Sequence, residues 1–185
     1  AGSGLLAACG DDDGGADAPT AQGNDATPPN PSKGGNLRFG MIGNGTGETA
    51  NPNQVSTPID TVRVAAIFDP MIRPAPNHER EDGLVVGWER NADATVWELK
   101  LRSGVTWHDG SPLTAEDLIF TIRTFGAKGS FGGNAVAFVE LKDLKKLDPL
   151  TVRVPLSRPI ADLGAYFIYV NSTWVIKDGT TDFTK

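Results

Sequence analysis

Six residues, Val96–Leu101, alternate strictly: Trp97, Leu99 and Leu101 project to one side, Val96, Glu98 and Lys100 to the other. A period of two specifies a strand with one apolar face. Ser103-Gly104 then turns the chain, so Val105–Trp107 is expected to pair back as the second arm of a hairpin. Asp109-Gly110 makes a further turn. Thr114-Ala115-Glu116-Asp117 has the spacing of a capping box, and its two acids suit the positive end of a helix. Ala115, Leu118, Ile122 and Phe125 recur at helical spacing and build one apolar face, which Gly126 terminates.

The same signals recur on either side. Asn36–Ile42 alternates Leu37, Phe39 and Met41 against Arg38 and Gly40, a short strand pattern. Thr57-Pro58-Ile59-Asp60 predicts a helix start, with Thr57 as cap and Pro58 at the first helical position. Ile59, Val62, Ala66 and Ile67 would share its apolar face, and Asp69-Pro70 stops it. Phe68–Ile72 and Gly83–Trp88 read as extended, with residues 73–82 as a loop. Asp148-Pro149 turns between Ala135–Leu147 and the alternating Thr151–Leu156, where Pro155 marks an edge or terminal strand position. Pro159–Tyr169 suits a short helix and Asn171–Ile176 an extended segment. The sum is an α+β body of short strands, short hairpins and few helices.

The first 33 residues are different in kind. Leu5-Leu6-Ala7-Ala8-Cys9 resembles a bacterial lipobox, in which small residues precede the cut and a thiol receives lipid, so residues 1–9 read as the remnant of a lipoprotein signal peptide with Cys9 as the lipidation site. Residues 10–33 contain no aromatic residue and no Leu, Ile or Val, and are dense in Gly, Pro and Asp. Such a segment cannot bury enough apolar surface to offset its ordering entropy, and a disordered tether is expected. The net charge of −6 concentrates there: five acids face one base between Gly10 and Lys33. An acidic chain without a basic cluster argues against nucleic acid. Cys9 is the only cysteine, which excludes an internal disulfide and a cysteine-based zinc site.

Few residues invite catalysis. Gly43, Gly45 and Gly47 lack the spacing of a dinucleotide fingerprint, and no Gly-Lys-Ser/Thr follows. His108-Asp109 reads as a turn, with His78 the one other histidine. Glu116 and Asp117 read as helix-capping acids, and Trp88, Trp97 and Trp107 as core. No nucleophile elbow or metalloprotease helix is present, so no enzyme activity, cofactor or metal is expected.

The run from Leu84 to Arg123 carries Trp88-Glu89, Trp97, Leu101-Arg102, Gly104-Val105, Trp107-His108-Asp109-Gly110 and Leu113–Asp117 in order. It closely resembles the signature region of the dipeptide/oligopeptide/nickel-type extracellular solute-binding proteins of ABC transporters, solute-binding protein family 5. Residues 34–40, 67–73 and 147–159 resemble further family segments, so the similarity reaches from about Gly34 to Ile176. Where the family often has Thr-Leu-Asp-Pro after its first strand, this chain has Thr49-Ala50-Asn51-Pro52.

The resemblance implies a two-lobed, class II periplasmic-binding-protein-like fold with a mixed sheet. Residues 34–185 would correspond to the N-terminal part of lobe I, with the second lobe absent. It implies a monomeric, lipid-anchored receptor on the outer face of the cytoplasmic membrane, in the periplasm or at the cell surface. That receptor would capture a peptide or other small solute and deliver it to an ABC permease. A lipid-anchored sensor or adhesion lipoprotein of the same fold is the alternative. Asn44, Thr46 and Glu48, in the loop after the first strand, are the expected solute contacts. In cells, radiolabelled palmitate should enter the protein and be lost in Cys9→Ala; label retained in that variant refutes Cys9 as the lipidation site.

Overall fold

The computed structural model describes residues 34–36, 38–43, 45–74, 80–130, 133–169 and 173–183. The chain divides into two compact units, residues 1–39 and 40–185. The lipobox with Cys9, the tether, Leu37, Asn44 and His78 lie outside the described residues. The elements run, after a 3-10 turn at Gly45–Gly47, as α1 (Pro58–Ile67), β1 (Ile72–Pro74), β2 (Arg80–Asp82), β3 (Val85–Arg90), β4 (Val96–Leu101), α2 (Ala115–Phe125), α3 (Gly133–Val136), β5 (Lys145–Asp148), β6 (Thr151–Pro155) and α4 (Leu163–Tyr169). None of the described helices is long and apolar enough to cross a membrane.

The alternating stretch forms β4, which lies inside a four-stranded antiparallel sheet of order β3-β4-β6-β5. Register pairs Trp97 with Val154 and Leu99 with Val152, so the apolar positions of two neighbouring strands share one face. Leu99, Val152 and Val154 are wholly buried there. Trp88 of β3 stands opposite Leu99, and its ring meets Phe167 of α4 at 6.0 Å. The face of α2 read from its spacing is the buried one: Ala115, Leu118, Ile122 and Phe125 are at most 1% exposed and join the sheet in one core. Leu118, Ile122 and Phe125 each contribute about 1.5–3 kcal/mol through burial. Trp97 completes the layer, its indole N–H donating to the Ile160 carbonyl at 3.1 Å.

Four expectations change. Residues 73–82, expected as a loop, carry strand at both ends: β1 and β2 pair antiparallel, with Arg73 opposite Glu81. Residues 105–107 do not pair with β4, because both edges of β4 are occupied by β3 and β6. They fold instead onto residues 111–113, with Leu113 N donating to Val105 O at 3.0 Å and Trp107 N to Ser111 O at 2.8 Å. The described part of Asn36–Ile42 is not a strand; Phe39 and Ile42 are 76% and 94% exposed. Alternation becomes a strand only where a neighbour supplies a ladder, and no described strand lies beside it. On α1 the buried residues are Asp60 and Val64, whereas Val62, Ala66 and Ile67 face outward and Ile59 is half-buried. Pro155 is the terminal residue of β6, a strand interior to the sheet.

Residues 173–176 return the chain to residues 69–71: Met71 N donates to Thr173 O at 2.8 Å and Val175 N to Asp69 O at 3.0 Å. Gly83 makes this corner possible. A Cβ there would sit 2.3 Å from the Pro70 carbonyl oxygen and 2.7 Å from the Ile72 nitrogen, backbone atoms that cannot yield locally. Gly83→Ala should therefore lower stability by about 1–3 kcal/mol in urea denaturation. A change below about 0.5 kcal/mol, the size of an ordinary surface substitution, would contradict this account of the corner.

Candidate functional site

The loop that carries the expected solute contacts is held by the N-terminus of α1. Pro58 supplies the fixed φ of a first helical residue, and Thr57 is extended at φ −127°, ψ 158°. Asp60 N donates to Thr57 Oγ1 at 3.3 Å. The Asp60 carboxylate in turn accepts from Thr57 N at 3.2 Å and Thr57 Oγ1 at 2.7 Å. Its other oxygen accepts from Thr49 N at 2.8 Å, eleven residues upstream. One buried carboxylate thus closes the helix end and pins the loop to it. The Thr49 amide, then the Thr57 hydroxyl, hold the Asp60 carboxyl below the usual aspartate range, against the opposing effect of burial.

Between these anchors the loop folds on itself. Asn51 N donates to Thr49 Oγ1 at 3.0 Å, Asn53 N to Asn51 Oδ1 at 2.9 Å and Gln54 N to Asn51 O at 3.0 Å. Thr49, which the family's usual run shares, and Asn51, which stands where that run has Asp, thereby use their side-chain oxygens to shape the loop.

Thr46 is exposed on the 3-10 turn. Glu48 lies two residues further along, half-buried, and pairs with Arg63 of α1. Asn44 is outside the described residues. The Glu48 carboxylate lies so close to Gly43 that any side chain at 43 would collide with it. Arg63, which sequence reasoning missed, brings a second charge sign to the site. Its Nη2 reaches Glu48, its Nη1 stands 3.9 Å from Asp60, and its side chain is 41% exposed. The available signal was spacing: Arg63 follows Asp60 by three residues on a helix, so both face the loop. A guanidinium between two carboxylates offers a planar donor fork to an incoming carboxylate and acidic neighbours to an ammonium group. It offers no nucleophile.

The His108-Asp109 turn is built as a turn. Asp109 accepts from Ser111 N at 3.0 Å and Ser111 Oγ at 2.6 Å, and pairs with Lys177. The Lys177 ammonium, then the Ser111 hydroxyl, hold the Asp109 carboxyl well below its usual range. Glu116 meets Lys146 at 3.0 Å across the surface. Asp117 accepts from Thr114 N at 2.7 Å and from Asp178 N at 2.8 Å, as a capping acid that also ties down a distant segment. Among the described residues no three His, Cys, Asp or Glu side chains gather as a metal site.

The Asp60 arrangement has a pH signature. A carboxyl whose pKa is lower folded than unfolded adds stability above its unfolded value, near about 3.9, and that contribution fades as pH falls through the folded value. Asp60→Asn should cost about 1.5–3 kcal/mol at pH 7, as expected for hydrogen bonds to a charged group. The gap from wild type should narrow as denaturation is repeated at progressively lower pH below about 3.9. A gap independent of pH would remove the ionised carboxylate from this role.

The family model described as bacterial extracellular solute-binding proteins, family 5 middle, matches residues 80–185. The chain is 27% identical over 119 residues to a probable peptide ABC transporter periplasmic-binding protein, y4tO, of Sinorhizobium fredii, covering 64% of this chain and 22% of that protein. It is 30% identical over 111 residues to the dipeptide-binding protein of Escherichia coli, covering 49% and 21%. Among solved structures, it matches the solute-binding protein MoaA of A. tumefaciens R10 in complex with mannopinic acid at a TM-score of 0.61 and 28% identity, over 71% of this chain and 28% of that one. The chain spans about a fifth of the length of these curated relatives.

Proposed function

Because the chain belongs to the bacterial extracellular solute-binding proteins of family 5, we propose that it supplies the N-terminal part of the first lobe of a receptor for an ABC importer. In this reading the receptor captures peptides or similar small solutes outside the cytoplasmic membrane and delivers them to a permease. A lipid on Cys9 holds it at the membrane surface, and residues 10–33 act as the tether. Two lobes close over the solute, and closure is driven by contacts that form only in the closed state. The chain acts by binding, and the loop 43–57 is its contribution to the solute site.

The observation that carries this reading is the polar loop fastened to α1 by Asp60, with Thr46 exposed and Glu48 set against Arg63. A pre-shaped loop spends little ordering entropy when a solute arrives. The mixed charge of Glu48 and Arg63 suits a zwitterionic ligand, as peptides are.

Thermal denaturation of the full gene product against dipeptides, oligopeptides, sugars and nickel tests the reading. A specific solute stabilises by RT ln(1 + [L]/Kd), about 2.7 kcal/mol at a hundredfold excess over Kd. Peptides should give the shift, and Thr46→Ala and Glu48→Gln should weaken it. No shift with any of these solutes would sink the receptor role.

A further inference from the structure

The face of the four-stranded sheet that turns away from the core carries an ordered row of charges. Register places Glu89 of β3 opposite Glu98 of β4, Glu98 opposite Arg153 of β6, and Arg153 opposite Lys145 of β5. Residues opposed in this way share a face, and their neighbours Trp97, Leu99, Val152 and Val154 are buried on the other one. From edge to edge the row reads acid, acid, base, base. Glu89–Glu98 and Arg153–Lys145 are like-charge pairs, an arrangement that destabilises a sheet on its own. Among the described residues none of these four side chains joins an ion pair. Glu89, Arg153 and Lys145 are exposed and Glu98 is half-buried. An open cleft of about 300 Å³, lined by Glu89, Arg90, Asn91, Val96, Glu98 and Arg153, lies along the row. The Arg90 guanidinium stands 3.5 Å from the Asn91 carbonyl oxygen.

The order of signs selects the partner. A uniformly charged surface would match only half of the row. A second copy matches all of it, because an isologous contact sets the same surface against itself. A two-fold axis running along the strands, between β4 and β6, reverses the strand order of the second copy. The row then meets base, base, acid, acid: Glu89 faces the partner's Lys145 and Glu98 faces the partner's Arg153, each twice by symmetry. The neighbouring rows obey the same axis. Gly87, Lys100, Thr151 and Asp148 stand in line across the sheet. Reversal lays the partner's Asp148 over Gly87, beside Lys100, where no side chain intervenes. Val96 and Pro155, opposed in register and both half-buried, would meet as apolar neighbours at the other end.

We propose that the outer face of this sheet is the interface of a symmetric, charge-matched homodimer, in which β4 and β6 of one copy lie over β6 and β4 of its partner. This departs from the monomer that the family resemblance implies. The size of the surface sets its strength. Four strands about 4.8 Å apart, each with about five residues at about 3.3 Å, form a patch under about 20 Å on a side. That is at the small end of specific interfaces, so the dimer is weak and reversible. Its specificity comes from the charge order, since a shifted or rotated docking sets like charges against each other.

Two measurements test the dimer, both in a Cys9→Ser background so that no disulfide can join two copies. Sedimentation equilibrium at concentrations up to about 1 mM should show the mass rising toward that of two chains. Glu98→Arg alone, or Arg153→Glu alone, sets like charges across the axis and should weaken association at least about tenfold. An equimolar mixture of the two variants restores opposite charges at every position and should associate as the parent does. The second measurement needs no charge variant. A carbodiimide joins a carboxylate to an amine only where the two touch, and Glu89 and Lys145 of one copy lie on opposite edge strands, three strand spacings or about 14 Å apart. Treated as a mixture of isotope-labelled and unlabelled protein, the dimer should yield a Glu89–Lys145 amide that joins one labelled and one unlabelled peptide. A mass that stays that of one chain overturns the proposal, as does association that both single variants leave unchanged. A mixture of folded variants that associates no better than either alone overturns it too. If a variant fails to fold, the cross-link decides, and absence of the mixed Glu89–Lys145 amide overturns the proposal.

Discussion

A buried carboxylate at the third residue of a helix organises this protein twice. Asp60 is fully buried and accepts hydrogen bonds from its own cap residue and from Thr49, eleven residues away. Asp117, 4% exposed, does the same for Thr114 and for Asp178, sixty-one residues away. In both cases a local rule of helix capping is extended into a long-range tie. Each ionised oxygen is worth more in this setting than a neutral acceptor, because charge-assisted bonds in a low-dielectric site are stronger. Thr121, one turn after Asp117, reinforces the second tie by donating to and accepting from the backbone of Ile176. The segment 173–178 is thereby fastened to α2 and to residues 69–71 together.

These ties explain why a body of such short elements holds one shape. β1 and β2 have three residues each and would be marginal as an isolated pair. They are supported because Gly83 packs against residues 70–72 and Met71 accepts the ladder from Val85 while donating to Thr173. The core itself is conventional: one face of α2 against one face of the sheet, with α4 closing over Trp88 through Phe167.

Local patterns were readable from the amino-acid sequence wherever the local and the global demands coincided. The alternation of Val96–Leu101, the apolar spacing of Ala115–Phe125, the Thr57-Pro58 helix start and the Asp148 turn all have structural counterparts. The errors share a cause. The pairing of 105–107 depended on whether β4 still had a free edge, and that edge is filled by β6, fifty residues later in the chain. The facing of α1 depended on what lies beside it, and the only strong signal within the helix was the apolar stripe. In the loop between residues 43 and 57, Glu48 was legible as a charged residue in a polar turn, but its pairing with Arg63 was not, since the loop must first dock on α1.

The four-stranded sheet ends in two edges that differ from its interior. β5 is exposed along its whole length and begins with Lys145 and Lys146, and its register with β6 slips between Lys146 and Asp148. β3, at the other edge, has a similar irregularity between Val85 and Gly87. A strand approaching from another molecule would have to follow a kinked backbone on either side and lay itself along two ammonium groups on one of them. Such edges discourage sheet-to-sheet aggregation while leaving the buried face of the sheet untouched.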